Sequence, residues 1–252
     1  MNTKTLGILG GLGPMSGVCF CELLVSHTDA RRDQEHLNFL LSSRADTPDR
    51  TDFILGRSHR NPLPTMLGEV RRLIDAGAEL IAIPCNTAHY FYDSIQEAST
   101  VPVINIIDRT VEFCLQNGYR KVGVLATEGT VSSGAYEAVC RSAGLEFCTC
   151  SPGEQAVISR IIYDQIKQGK TPDLPAFLTV AQSLRRAGCD TVILGCTELS
   201  LLKRDFGLGS DFLDSLEVLA CASIRLCGAA PVGFDPALLN YTPRKEKIYV
   251  AP

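Results

Sequence analysis

The sequence has no surplus of positive charge: 24 lysines and arginines stand against 28 aspartates and glutamates, a formal net charge of −4. A nucleic-acid surface needs clustered base, so no nucleic-acid partner is expected. The basic stretch TPRKEK near the C-terminus reads as a solvated tail. No apolar run approaches the roughly 20 residues of a membrane helix. Nor is an export signal expected, since Met1-Asn2-Thr3-Lys4-Thr5 leads straight into a strand-like Leu6-Gly7-Ile8-Leu9. The expected compartment is the cytoplasm, with no membrane partner. Clustered metal ligands are also missing. Cys19-x-Cys21 and Cys148-x-Cys150 have no second pair or grouped histidine to complete a four-ligand set, so both read as packing cysteines and no metal is expected. No low-complexity segment or long linker interrupts the chain.

What the chain does have is cysteine. Its 11 cysteines are an odd number without an export signal, which points to free thiols in a reducing compartment. Hydrophobic content of 45% and charged content of 21% are ordinary for a globular protein. At 252 residues the chain can hold two domains of roughly 100–150 residues, each with a core.

The chain is organised around AGAELIAIPCNTAHY, Ala76 to Tyr90, where a short apolar run ends in Pro84-Cys85-Asn86-Thr87. That pattern predicts a buried parallel strand delivering a cysteine to a cleft. It returns as AGCDTVILGCTEL, Ala187 to Leu199, with Cys196 matching Cys85 (196 − 85 = 111) and Glu198 opposite Thr87. Gly7-Ile8-Leu9 with Gly13 is echoed by Gly123-Val124-Leu125 with Gly129 (123 − 7 = 116). The fold expected is α/β: two similar open parallel-sheet αβα domains related by pseudo-twofold symmetry, with the active site in the interdomain cleft. The first domain is placed at residues 1–110, completed by 216–252, and the second at 111–215.

Taken in order, residues 4–13 read as a strand entering a glycine-rich turn, followed by a helix from Met15 to Thr28. GLGPMSG fails as a dinucleotide fingerprint, because Ser16 holds the third glycine position and Pro14 interrupts the turn. The loop is read instead as presenting N–H groups to a small anion. Residues 36–43 and 101–107 are further strands, and Asp46-Thr47-Pro48-Asp49 makes a turn that presents Arg50 just past a strand end. There Arg50 is either a solvated charge or a carboxylate ligand. His89 is either a second acid–base group or a core histidine satisfied by backbone; its distance beyond the strand end favours the core role. In the second half, Thr127, Gly129 and Thr130 replace the glycine loop, Ser132 or Ser133 is the expected cap of the next helix, and a helix from Glu154 to Gln168 carries Tyr163 and Lys167. A final helix is expected around Leu213 to Leu226, followed by an irregular end.

Each of the two cysteines opens a helix, so each sulfur is expected near a positive dipole end and N–H donors, lowering its pKa. Opposed halves would set the sulfurs on opposite faces of a bound carbon. One thiolate could then take a proton from one side while the other thiol returns one from the opposite side, inverting a stereocentre.

GILGGLGP, RRDQEH, PDRT, PCNTAH, LATEGTV, IIYDQIK and LGCTEL, in this order over about Thr5 to Leu226, resemble the aspartate/glutamate racemase family, and its aspartate racemases in particular. The resemblance implies a two-domain homodimer that needs no cofactor, pyridoxal phosphate included. It implies Cys85 and Cys196 as the catalytic bases. Gly11, Leu12, Asn86, Thr87, Thr127, Thr197 and Glu198 match substrate-binding positions, with Asn86, Thr87, Thr127, Thr197 and Glu198 near the amino-acid head. Arg50 and Lys167 would hold the side-chain carboxylate. Two departures bear on specificity: Leu12 stands where many relatives have Met, and Glu198 stands where glutamate racemases have histidine. The implied reaction is racemisation of aspartate, with glutamate as a second candidate. A hydantoin racemase or maleate isomerase of the same fold, and a non-catalytic binding protein for acidic amino acids, are the rival readings.

Overall fold

The computed structural model describes residues 3–246. Two four-stranded parallel sheets carry the chain. β1 (Leu6–Gly10), β2 (Phe39–Ser43), β3 (Leu80–Ala82) and β4 (Val103–Ile104) form the first, in the order β2-β1-β3-β4. β5 (Lys121–Leu125), β6 (Glu146–Thr149), β7 (Thr191–Leu194) and β8 (Phe212–Asp214) form the second, in the corresponding order β6-β5-β7-β8.

The internal repeat extends to register. Gly7 pairs with Ile81 in the first sheet and Gly123 with Val192 in the second. Both glycines serve one packing need, the close approach of a helix to the central strand. A Cβ on Gly7 would lie 2.8 Å from Ala78 Cβ and 3.2 Å from Leu73 Cβ; one on Gly123 would lie 3.0 Å from Leu184 Cβ and 3.3 Å from Cys189 Sγ. Residues 73 and 78 correspond to 184 and 189 at the cysteine offset, so the helices Leu63–Asp75 and Leu174–Arg186 dock in the same way.

The apolar interior has three parts. One cluster covers the outer side of the first sheet (Leu9, Met66, Val70, Ile81) and another the outer side of the second (Leu125, Phe177, Val180, Leu194). The largest is shared, running from Leu6 and Ile8 through Val122 and Val124 to Leu216 and Ile224. The helix Ser215–Leu226 is apolar nearly all round and buried on nearly all sides, against the helices Pro14–Ser26, Ile106–Gln116 and Thr197–Phe206.

Several local expectations change. The strand expected over 101–107 is only Val103–Ile104, because Asn105 caps a helix at once, accepting from the N–H groups of Ile107 and Asp108. Asp214 does the same for the helix after β8, accepting from Leu216 N. Neither Ser132 nor Ser133 is the N-cap of the next helix, although Ser133 Oγ accepts from Ala135 N in its first turn at 3.4 Å. Thr127 caps the short helix Glu128–Ser132, and the next, Ala135–Ser142, begins from the left-handed Gly134. The helix expected over 154–168 is α-helical only from Pro152 to Arg160, then a π turn over Ile161–Gln165 and a 3₁₀ turn over Ile166–Gln168. The TPRKEK segment is not a free tail as far as Glu246. Tyr241 is buried and donates to Glu112, Arg244 N also donates to Glu112, and Arg109 donates to Arg244 O. Burial pushes the Glu246 carboxyl up to about 7 against the pull of Arg109. Lys247 and the rest of the expected C-terminal segment lie outside the described residues.

Candidate active site

Both sheets end, on the same side, in a small cleft between the halves. Cys85 and Cys196, 111 positions apart, line it together with Leu12, Arg50, Asn86, Thr87, Thr127, Lys167, Thr197 and Glu198. Gly11 does not line it. With φ at +79° and Arg44 backbone atoms within 2.7 Å of where its Cβ would be, Gly11 shapes the loop instead. Asp49, Thr51 and Tyr163 complete the lining; they were not singled out for the site from sequence.

The first corner is built from the end of β3. Cys85 is buried and followed by a 3₁₀ turn, Thr87–Phe91. His89 holds that turn. Its Nδ1 pairs with Cys85 O at 2.8 Å, and its Nε2 accepts from Ile106 N at 3.1 Å. Burial pushes this imidazole down to about 4, so it is neutral at pH 7. Asn86 is committed to the scaffold: Nδ2 donates to Ser215 Oγ at 3.0 Å, and Oδ1 accepts from Tyr136 OH at 2.8 Å. Ser215 in turn donates to Leu194 O at the end of β7, so Asn86 ties the two sheet ends together.

The second corner follows β7. Cys196 is the N-cap of the helix Thr197–Phe206, and Thr197 Oγ1 donates across the cleft to Pro84 O at 3.2 Å. Cys196 Sγ donates to Glu198 Oε2 at 3.0 Å. The Glu198 carboxylate lies against the glycine loop, where a Cβ on Gly13 would fall 2.3 Å from Oε1. The loop therefore packs against this carboxylate, but no loop N–H donates to Oε1.

Two cations face the thiols. Arg50 opens the short helix Arg50–Ile54, capped by Asp49, and is buried. Its Nη2 donates to Leu12 O at 2.8 Å and its Nη1 to Pro48 O at 3.0 Å, while its buried Nε has no partner. Lys167 reaches in from the 3₁₀ turn. Its Nζ lies 4.5 Å from the Tyr163 ring centroid and 3.7 Å from Glu198 Oε1. Burial opposes the Lys167 charge, but Glu198 and the thiols more than offset it and raise its pKa.

Hydroxyls close the gap between the halves. Thr87, Thr127 and Thr130 form a buried triangle with each Oγ1 pair 2.9 Å apart. Tyr163 OH donates to Thr51 Oγ1 at 2.7 Å, and Gly129 is bare where Thr51 Cα would crowd a Cβ at 2.8 Å. Tyr163 stands on the π turn, a device frequent at functional sites.

The expected lowering of the thiol pKa values is reversed. Burial outweighs the effect of the neighbouring backbone N–H groups at both sulfurs. Burial raises Cys85, opposed chiefly by Arg50; burial and then the Glu198 charge carry Cys196 well above its ordinary value. A bound anion on Arg50 or Lys167 would change that balance. Among the described residues, no group of three or more His, Cys, Asp or Glu could hold a metal ion, and no helix is long and apolar enough to cross a membrane.

Comparison with known proteins agrees with this architecture. The chain is 28% identical in sequence to the structure of Picrophilus torridus aspartate racemase, with a TM-score of 0.79 covering 91% of this chain and 96% of that one. It is 26% identical over 223 residues to the broad specificity amino-acid racemase RacX of Bacillus subtilis, 87% of this chain and 96% of the relative. A glutamate racemase of Aquifex aeolicus matches at 30% over 152 residues, 58% of this chain and 56% of that protein. The structure of a Francisella tularensis glutamate racemase, 21% identical with a TM-score of 0.62 over 98% of this chain and 87% of that one, shares the fold. Residues 9–222 match the family described as Asp/Glu/hydantoin racemase, and the chain belongs to that family.

Proposed function

We propose that this protein racemises aspartate, with glutamate as a second substrate, by a two-thiol mechanism that uses no pyridoxal phosphate. One observation carries the reading: Cys85 and Cys196, from equivalent strand ends of two halves, line one small cleft with Arg50 and Lys167. On this reading one thiolate removes the α-proton and the opposite thiol delivers one to the other face. Such positioned acid–base action is worth about 10²–10⁴-fold. Charge developing on the α-carboxylate is met by N–H groups where the chain turns after each thiol.

Arg50 and Lys167 supply the preference for an acidic side chain. Arg50 keeps donors free for a carboxylate after its three carbonyl contacts. The cleft's charged lining beyond the thiols is two cations with Asp49 and Glu198, which suits a zwitterion bearing a second carboxylate. The mechanism treats residues 1–110 with 216–252 as one lobe and 111–215 as the other, in a cytoplasmic homodimer. Light scattering tests the dimer, with a monomer mass counting against it.

Chiral chromatography after incubation with L-aspartate, L-glutamate, a 5-substituted hydantoin and maleate, without added cofactor, tests the substrate assignment. D-aspartate should accumulate fastest. Turnover of hydantoin or maleate with aspartate untouched would replace the assignment by one of those activities.

A further inference from the structure

The two thiols sit in equivalent places but not in equivalent company. At the cysteine offset, Glu198 corresponds to Thr87. Thr87 spends its hydroxyl on Thr127 and Thr130, and no carboxylate stands on the Cys85 turn. Glu198 instead accepts from Cys196 Sγ at 3.0 Å, and its other oxygen, Oε1, is buried with no hydrogen-bond partner. The space for this carboxylate is made by Gly13 (φ +128°), where any side chain would strike Oε1. Lys167, 3.7 Å away, supports the charge without displacing the thiol.

We propose that Glu198 is a positioning residue that holds the proton on Cys196, so that in the free enzyme Cys196 stands ready as the acid and Cys85 as the base. The proposal deepens the racemase reading and rests on it for its catalytic meaning. A thiolate at Cys196 would face a carboxylate oxygen at hydrogen-bond distance, and two like charges at one buried site strongly disfavour double ionisation. Cys85 lines the cleft beside Arg50, and among the described residues no carboxylate is hydrogen-bonded to it. The charged or titratable groups of the cleft around Cys196 are Glu198 on its own helix, Lys167 and Tyr163 from 161–168, and Asp49, Arg50 and Cys85 from the opposite half.

In the forward step an S–H bond forms at Cys85 as the substrate Cα–H bond breaks, leaving its electron pair on the carbanion. The Cys196 S–H bond then breaks, its proton goes to the opposite face of that carbon, and its electrons stay on the Cys196 sulfur. The thiols have now exchanged protonation states, and Glu198 favours return of a proton to Cys196. Because the enantiomers have equal free energy, kcat/KM must remain equal in both directions, so the asymmetry is read on the thiols themselves.

The test is iodoacetamide alkylation of the substrate-free protein across pH, with each cysteine followed by peptide mass spectrometry. Cys85 should react with a lower pH midpoint than Cys196. In Glu198→Gln the Cys196 midpoint should fall by about one pH unit or more, with a smaller movement at Cys85. Glu198→Ala should lower it likewise, which guards against a folding artefact of either variant. An unmoved Cys196 midpoint in the variants, or a wild-type Cys196 that ionises before Cys85, overturns the proposal. This readout needs no turnover, so it can fail while α-proton exchange still upholds racemisation, and the reverse also holds.

Discussion

The two corners of the cleft share a backbone and differ in what the polar side chains do. At the Cys85 corner the polar side chains that follow the thiol are clamps: Asn86 on Ser215 and Tyr136, Thr87 on two threonines, His89 on Cys85 O and Ile106 N. At the Cys196 corner the matching positions are Thr197, Glu198 and Ser200. Glu198 holds the thiol itself, while Ser200 donates to the buried Asp214 at 2.7 Å. Equivalent strand ends place the sulfurs, whereas the residues that follow decide their protonation. Placement and protonation are thus specified by different parts of the sequence.

The largest effect should come from breaking the pair. Cys85→Ser or Cys196→Ser should each lower aspartate racemisation by about 10²–10⁴-fold in a chiral assay, since inversion needs both faces. Retained activity in either would show that a single thiol suffices. Next, Arg50→Ala should lower aspartate turnover by roughly 10–100-fold, the worth of a charged hydrogen bond, with little change for alanine. An equal loss on both substrates would mean that Arg50 only shapes the loop.

The third prediction sharpens the contrast between the neutral and the acidic corner. His89 is about 4 in the folded protein and near 6.5 unfolded. Its folded pKa is depressed, so its contribution to stability is complete above about 6.5 and is lost as pH falls towards 4. Between pH 7 and 5 that amounts to about 2 kcal/mol. Urea unfolding should therefore show wild type losing more stability over this interval than His89→Gln, and parallel losses would contradict a buried neutral imidazole. Fourth, Asn86→Ala should strand the Tyr136 hydroxyl, while Ser215 keeps its bond to Leu194 O, at a cost of about 1–3 kcal/mol, a drop of several degrees in Tm. The smallest effect is expected for Tyr163→Phe, which loses only the bond to Thr51, about 0.5–1.5 kcal/mol, seen as a modest rise in KM.

The repeat, the central strands and the two thiols were legible because they rest on local patterns: an apolar run, a glycine under a docked helix, a cysteine at a strand end. β7 falls on Thr191–Leu194, where the apolar pattern puts it. What escaped depends on distance or burial. Tyr163 meets Thr51 across 112 positions, and the π turn that aims it carries no compositional mark. β8 is three residues long and merges with the helix behind it, so periodicity gave only the helix. The direction of the thiol shifts was missed because a helix start is visible in sequence, whereas desolvation and a carboxylate at 3.0 Å are properties of the folded cleft.

The central claim is that both sulfurs act on one substrate carbon. Its most direct measurement is L-aspartate in deuterated water, followed by proton NMR and chiral analysis, with wild type beside the two serine variants. Wild type should replace the α-proton by deuterium while D-aspartate appears, and neither variant should invert the centre. Tight binding of aspartate with its α-proton fully retained would contradict the account and leave a binding protein in place of an enzyme.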